Sequence, residues 1–409
     1  MRWRNAIAFG IILILVCTLA GVSGPDSEDS QAVNVQTSLA ERVDHEPISI
    51  DGNADMLAQK SANSWTGTGE SDSPITIADY RIESYDGCIT IHNVDLYFVI
   101  DNCETADIDR EYYASTGIKL DNCSNGVISN SLAHMKETGI FIKNSKHITL
   151  SGSTVHDCAA GVSVEDCYQV TIHDNNFGWN DFVGVNITGT NQCTVYANTI
   201  YSVPYFGIMC IVDTNTYLSN NIITSTNLED EELDHVGILS YYSVNIAIYN
   251  VTISDCATGL EMQNTGGAWI WECRFLRSVE YGVYLHPDTY NVTIVESCFL
   301  PSEGITAFDA GEANSWDNPY DEIGNYWGDY NGTGYYYISG PAESIDHFPN
   351  RITCDYGDGN YTGSPDNTTT SNTTELGDGV EPLVLLISIG SSVVIILVAV
   401  LILRSSKSY

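Results

Sequence analysis

The strongest constraint on this chain is a unit that recurs nine times between Asp86 and Pro301. Each unit reads glycine, two alternating aliphatic positions, a polar turn, two more aliphatics, a small or amide residue, and an apolar one. The glycines are Gly87, Gly117, Gly139, Gly161, Gly184, Gly207, Gly237, Gly259 and Gly282. They lie 22 or 23 residues apart except for two intervals of 30, and Gly304 follows 22 further on. A unit this short, built from alternating stretches, does not fit a βαβ unit, which needs roughly 30 residues or more and a helix. It fits one turn of a β-solenoid, where an apolar face is buried only by stacking on its neighbours.

From Gly139, aliphatics fall at Ile140, Ile142, Ile148 and Leu150, two strands with a polar turn between them. Period-two alternation puts one side of each strand inside and the other outside. One residue past each glycine the chain reads Ile118, Ile140, Val162, Val185, Ile208, Ile238, Leu260 and Val283, the branched aliphatics that packed strands favour. Fourteen past it, with the first unit counted from Cys88 in the glycine place, stand Asn102, Ser131, Ser153, Asn175, Asn198, Asn221, Val251 and Cys273, which suits a tight inward turn. The glycines are expected to relieve crowding or supply positive φ at a corner. The expected fold is all-β: a right-handed parallel β-helix of about nine to ten coils. The two long intervals read as insertions at one corner, through Glu104, Asp107, Asp109 and Glu111, and through Glu229, Asp230, Glu231, Glu232 and Asp234.

Outside the repeat, residues 1–24 read as a secretory signal, with Arg2 and Arg4 ahead of an apolar run. Residues 25–47 read as a linker, 48–86 as an N-terminal cap, 87–312 as the solenoid and 313–350 as a C-terminal cap. Residues 351–382 are rich in Gly, Asp, Asn and Thr and read as a stalk, with glycosylation acceptors at Asn360, Asn367 and Asn372. The apolar run 383–403 is long enough to span a bilayer, and Arg404 and Lys407 place the tail 404–409 inside. The expectation is a cell-surface, single-pass protein with its bulk outside.

Net charge is −38, from 15 Lys and Arg against 53 Asp and Glu. That excludes nucleic acid as a partner and disfavours acidic polysaccharides unless cations bridge them. Removing Cys17 with the signal leaves an odd number of cysteines, and no neighbouring units carry Cys at the same offset. Cys88 with Cys103, and Cys273 with Cys298, are the pairs close enough in the pattern to bond.

With Asn314-Ser315-Trp316-Asp317-Asn318, Gly324-Asn325-Tyr326-Trp327-Gly328-Asp329-Tyr330 and Asp346-His347-Phe348-Pro349, the repeat resembles NosD-type right-handed β-helix proteins. These are also described as carbohydrate-binding and sugar-hydrolysis repeats, and the closing signature resembles archaeal, membrane-tethered surface members. The resemblance implies the fold and a cap over residues 63–85, and it implies little about activity.

Function must sit on outward positions, because inward ones are filled. Four residues past the glycine stand Asp121, Lys143 and Glu165, and no His or Tyr is expected in that column. At about 4.8 Å per coil the two carboxyls would be near 10 Å apart, close to what an inverting glycosidase uses. An alternating charge ladder explains the trio equally well. The aspartate cluster, Gly-His-Gly and Arg-x-Lys of β-helix polygalacturonases are absent, and His286-Pro287-Asp288 shares only composition with the Asp-Pro-His-Asp of mannuronan epimerases. On the second strand's outward positions, Tyr196, Tyr217, Tyr249, Trp269 and Trp271 form an aromatic strip suited to sugar rings, or one that stacks on itself.

Histidines are scattered over different offsets, so a copper site has no support. Asp317, Asp321 and Asp329 are the candidates for a structural Ca²⁺ through oxygen ligands; no other cofactor is expected. The leading expectation is a binding face for polysaccharide or a neighbouring surface protein. The alternatives are a polysaccharide hydrolase or lyase using Asp121 and Glu165, and a purely structural rod.

Overall fold

The computed structural model describes residues 41–108, 115–224, 235–300 and 304–350. The signal, stalk and membrane span read from the sequence lie outside the described residues, as do Asn360, Asn367, Asn372 and most of both corner insertions. One winding is Thr138–Lys143, Lys146–Ser151 and Thr154–His156, after which Ala160–Glu165 begins the next. Strands of the first kind stack into sheet 1, of 11 strands; those of the second into sheet 2, of 10; those of the third into sheet 3, of 12. Within all three, neighbours are parallel. Residues 48–86, expected as a cap, already contain a winding: Ile48–Asp51 pairs with Ile89–His92 in sheet 1. The one helix among the described residues, Asn53–Asn63, packs Met56 into the end of the core.

Windings lie in register, so residues sharing a place in the unit form columns. Ile140 stands opposite Ile118 and Val162, Leu150 opposite Ile128 and Ile172, and Val155 opposite Ala133 and Phe177. These side chains are buried almost completely. Each buried aliphatic contributes roughly 1.5–3 kcal/mol of transfer free energy, and none could do so in an isolated unit.

The glycine column has one of its two expected roles and lacks the other. None of these glycines has positive φ. They are close-approach sites: a Cβ on Gly207 would sit 2.5 Å from the Gly237 carbonyl oxygen and 2.6 Å from Ile223 Cγ2. Positive φ falls instead on the residue after most sheet 1 strands, as at Asn122, Asn144 and Asp166 (φ 54, 48 and 52). Asn and Asp tolerate this region because their side chains bond locally. Asn122 Nδ2 donates to Asn93 Oδ1 at 2.7 Å, so the corner amides form a ladder.

Inward at the next corner, backbone N–H groups donate down a second ladder. Ser131 N bonds Ser153 Oγ, Ser153 N bonds Asn175 Oδ1, Asn175 N bonds Asn198 Oδ1, and Asn198 N bonds Asn221 Oδ1. Cys103 heads it, through Cys103 N to Ser131 Oγ. Asn102, expected in this column, is one place early and occupies a left-handed corner with φ 49. At the far end Ser297 N donates to Asn325 Oδ1 and Asn325 N to Asp346 Oδ2, so the ladder runs into the terminal signature. Trp327 stacks on Phe299 at 4.3 Å and 11° and donates Nε1 to Asp346, closing the core with a ring.

Neither of the two cysteine pairs that the pattern allows is bonded, and the free cysteines are buried core or turn residues. Cys88, Cys103 and Cys273 are free, buried thiols that donate to backbone carbonyls of Ala106, Ile77 and Ile248. Cys298 is disulfide-bonded, with a partner other than Cys273. Cys273 stands inside the ladder, whereas Cys298 starts a strand of sheet 3 opposite Arg274.

Candidate functional site

The outward trio on sheet 1 is in register as expected, with Lys143 between Asp121 and Glu165. Lys143 Nζ lies 3.1 Å from Glu165 Oε2, and that carboxylate is 9% exposed. Asp121 accepts from Asn144 Nδ2 at 3.0 Å and faces Lys119 Nζ at 3.8 Å. His92 pairs directly with Asp121, its Nδ1 at 3.6 Å, so the column does contain a histidine. Counted from Cys88 in the glycine place of the first winding, His92 falls four places on, in this column. Both carboxylates are neutralised by neighbouring groups, which is the arrangement of a charge ladder. Farther along this face, Asn186 Nδ2 donates to Ser163 Oγ at 2.8 Å with both residues buried.

The aromatic strip on sheet 2 occupies two columns. One runs Tyr196, Ser219, Tyr249, Trp271; the other runs Tyr217, Ala247, Trp269. In the first column rings stack along the axis. Tyr249 and Trp271 are 4.9 Å apart at 30°, and His173, which the sequence reading passed over, lies 4.8 Å from Tyr196 at 4°. Rings stacked at the coil spacing spend their faces on each other and turn edges outward. Burial raises the phenol pKa of Tyr196, Tyr217 and Tyr249, consistent with rings packed among neighbours. Trp269 differs, being 45% exposed. Tyr290 on the next winding is 51% exposed and leans over Gly266, where a Cβ would meet its ring at 2.3 Å. A glycine beneath a tyrosine was the available signal for Tyr290 in the sequence.

The calcium candidates do not converge. Asp317 Oδ2 accepts from His347 N and pairs with His347 Nδ1 at 2.7 Å, Asp321 accepts from Asn318 Nδ2, and both oxygens of Asp329 accept from the Tyr336 hydroxyl. No group of three or more His, Cys, Asp or Glu among the described residues could hold a metal ion. His156, His173, His286 and His347 each pair with a carboxylate at 2.6–2.7 Å. Burial pushes the thiols of Cys158, Cys167 and Cys273 up to about 12, away from the thiolate a soft metal requires.

One outward constellation went unread. On sheet 1, Glu261, Tyr284 and Phe308 stand on three successive windings in one column. His286 Nε2 reaches back to Glu261 Oε1 at 2.7 Å, and its ring lies 4.2 Å from Tyr284. Tyr281 stacks beside Tyr284 at 4.9 Å and 18°, and Phe308 meets both edge-on. Just before this patch, Val183, Phe206, Met209, Ile211, Val236 and Leu239 form a second buried apolar cluster, separate from the main core.

Three stacked parallel sheets wound in this way define a right-handed parallel β-helix. The description "Right handed beta helix region" matches residues 183–374, and "Periplasmic copper-binding protein (NosD)" matches residues 100–230. The chain is thus similar to NosD-type β-helix repeat proteins, with a right-handed parallel β-helix as its fold. The copper in that description finds no donor set among the described residues. No curated protein matches the chain. Among solved structures it is similar to the periplasmic alginate epimerase AlgG, at 12% identity and TM-score 0.45, over 59% of this chain and 84% of that one. It is similar to the Azotobacter vinelandii mannuronan C-5 epimerase AlgE4 A-module, at 12% and 0.42, over 62% and 86%. It is also similar to the enzymatically active domain of bacteriophage CBA120 tailspike protein 2, at 12% and 0.45, over 77% and 48%. At these levels the likenesses say nothing of what this chain does.

Proposed function

We propose that this protein is a surface-displayed β-helix that holds a neutral glycan along the outward face of sheet 2. The observation that supports this best is the pair of open rings on adjacent windings, Trp269 and Tyr290, beside a column of self-stacked rings. Open ring faces offer apolar contact to pyranose rings, and the stacked column stiffens the surface that presents them. With 15 basic residues against 53 acidic ones, an uncharged polymer meets less repulsion than an anionic one. The apolar run 383–403 as a membrane span, and a glycosylated stalk bearing Asn360, Asn367 and Asn372, complete the proposal of a tethered protein with its bulk outside. A glycan carried by a neighbouring surface protein would satisfy the same face.

The test is affinity electrophoresis of the detergent-purified full-length protein through gels containing laminarin, soluble starch or galactomannan. At least one polymer is expected to retard it, with about tenfold weaker affinity after Trp269→Ala with Tyr290→Ala. Equal retardation of the double variant would remove this face as the site.

A further inference from the structure

We propose that the outward face of sheet 1 between Thr258 and Asp309 is a second, independent saccharide site, organised by the Glu261–His286 hydrogen bond. This goes beyond the sheet 2 proposal, because the two sites share no residue and lie on different sheets.

The site combines ring surface with fixed polar groups. Tyr281 and Tyr284 lie nearly parallel on one strand, Phe308 closes one side edge-on, and all three are only partly buried. His286 stands against Tyr284, and its Nε2 is bonded to Glu261 from the preceding winding. A carboxylate oxygen only accepts, so Nε2 carries the proton of that bond and Nδ1 is left facing outward as a polar group. Glu261 keeps a second oxygen, and the carboxyl and imidazole side chains are each about one-fifth exposed. Neutral sugars ask for this pairing: an apolar ring face flanked by hydrogen-bonding groups that cannot swing away. Packing matters too. Burial raises the Tyr284 phenol, with Tyr281 and Glu261 adding to it, so the hydroxyl stays a donor.

The chemistry of the occupant follows from what is missing around the rings. Outward positions on these windings read Thr258, Glu261, Gln263, Tyr281, Tyr284, His286, Ile305 and Phe308, with one carboxylate and no lysine or arginine. An anionic sugar would find no countercharge there, and a peptide strand would find no open sheet edge, since both neighbouring strands are already paired. A polyhydroxylated, uncharged chain running along the axis would cross Glu261, then Tyr284, then Phe308.

The experiment titrates the full-length protein with laminarin, soluble starch and galactomannan, with polygalacturonate as the anionic comparison. Variants are Tyr284→Ala, Tyr284→Phe, His286→Ala and Glu261→Gln, each checked by thermal melting. Expected are two classes of site for a neutral polymer, of which one weakens about tenfold in Tyr284→Ala and His286→Ala and less in Tyr284→Phe. That class survives Trp269→Ala with Tyr290→Ala. If the sheet 2 double variant removes all binding while the sheet 1 variants, folded, bind as wild type, the second site is overturned and the first stands. If the reverse holds, the sheet 2 proposal falls and this one stands. Preference for polygalacturonate, or no binding by the wild type, overturns it.

Discussion

Sheets 1 and 2 carry similar numbers of outward aromatics and arrange them differently. On sheet 2, rings in one column of successive windings stack on each other, as His173 does with Tyr196 and Tyr249 with Trp271. On sheet 1, Tyr284 and Phe308 share a column but meet edge-on, Tyr281 stacks beside Tyr284 within one strand, and Glu261 and His286 are bonded among them. The difference lies in what accompanies the rings: on sheet 2 ring meets ring along the axis, whereas on sheet 1 a carboxylate and an imidazole stand beside the ring edges. A solenoid can therefore be stiffened by aromatics or made adhesive by them, depending on whether fixed polar groups share the patch.

The comparison can be broken at its base by removing the register both faces share. Gly207→Val would drive a side chain into the Gly237 carbonyl and Ile223, at an expected cost of about 3 kcal/mol or more, read as a large fall in melting temperature. Both faces should fail together. Loss of binding on one face with the fold intact would show that the columns are not mechanically shared.

Asp213 lies under the corner that joins sheets 1 and 2, fully buried, with Oδ1 accepting from Thr190 N. Burial holds its pKa well above the usual carboxylate range. The folded chain therefore keeps this proton over a range in which the unfolded chain has released it, and stability should fall as pH rises through that range. Asp213→Asn keeps an acceptor for Thr190 and removes the charge. It should raise stability at neutral pH by about 2 kcal/mol and flatten the dependence above pH 4, measured by denaturant melts across pH. A variant less stable than wild type at pH 7 would show that the ionised carboxylate has a stabilising partner.

The smallest expected effect separates the two kinds of ring most cleanly. Trp271→Ala should lose about 1 kcal/mol of stacking with Tyr249 and leave glycan affinity nearly unchanged. Trp269→Ala should change stability by less than about 0.5 kcal/mol while weakening binding. The opposite assignment of effects would mean that the stacked column is the adhesive one.

Most of the winding was legible because period-two alternation and branched aliphatics recur at fixed offsets, and each column then confirms the others. The errors come from residues that serve two geometries. Asn102 had an amide at the anticipated offset, but left-handed corners select Asn as strongly as the inward ladder does, and the true place belonged to Cys103. Glycine likewise does not disclose whether it is chosen for φ or for the nearness of the next backbone. The charge trio stands in the expected register, and His92 beside it is legible once the first winding is counted from Cys88. Glu261 and His286 are 25 residues apart and two places out of step, so their bond emerges only when side chains reach diagonally between windings. Of the two cysteine pairs, Cys88 and Cys103 fall at different corners of one coil, while Cys273 and Cys298 share a corner one place out of step, Cys273 standing over Ser297.

The way the terminal segment fastens on has a consequence for how such proteins change length. Asn325 accepts a main-chain N–H from Ser297 and donates its amide to the Ile294 carbonyl, contacts that any coil's backbone can supply, while Trp327 needs the Phe299 ring beneath it. Phe177 and Phe275 occupy the same place in earlier turns, so the lid is matched to a turn that presents an aromatic there. An architecture of this kind could gain or lose whole turns and still be sealed by the same ending, provided the exposed turn carries that ring.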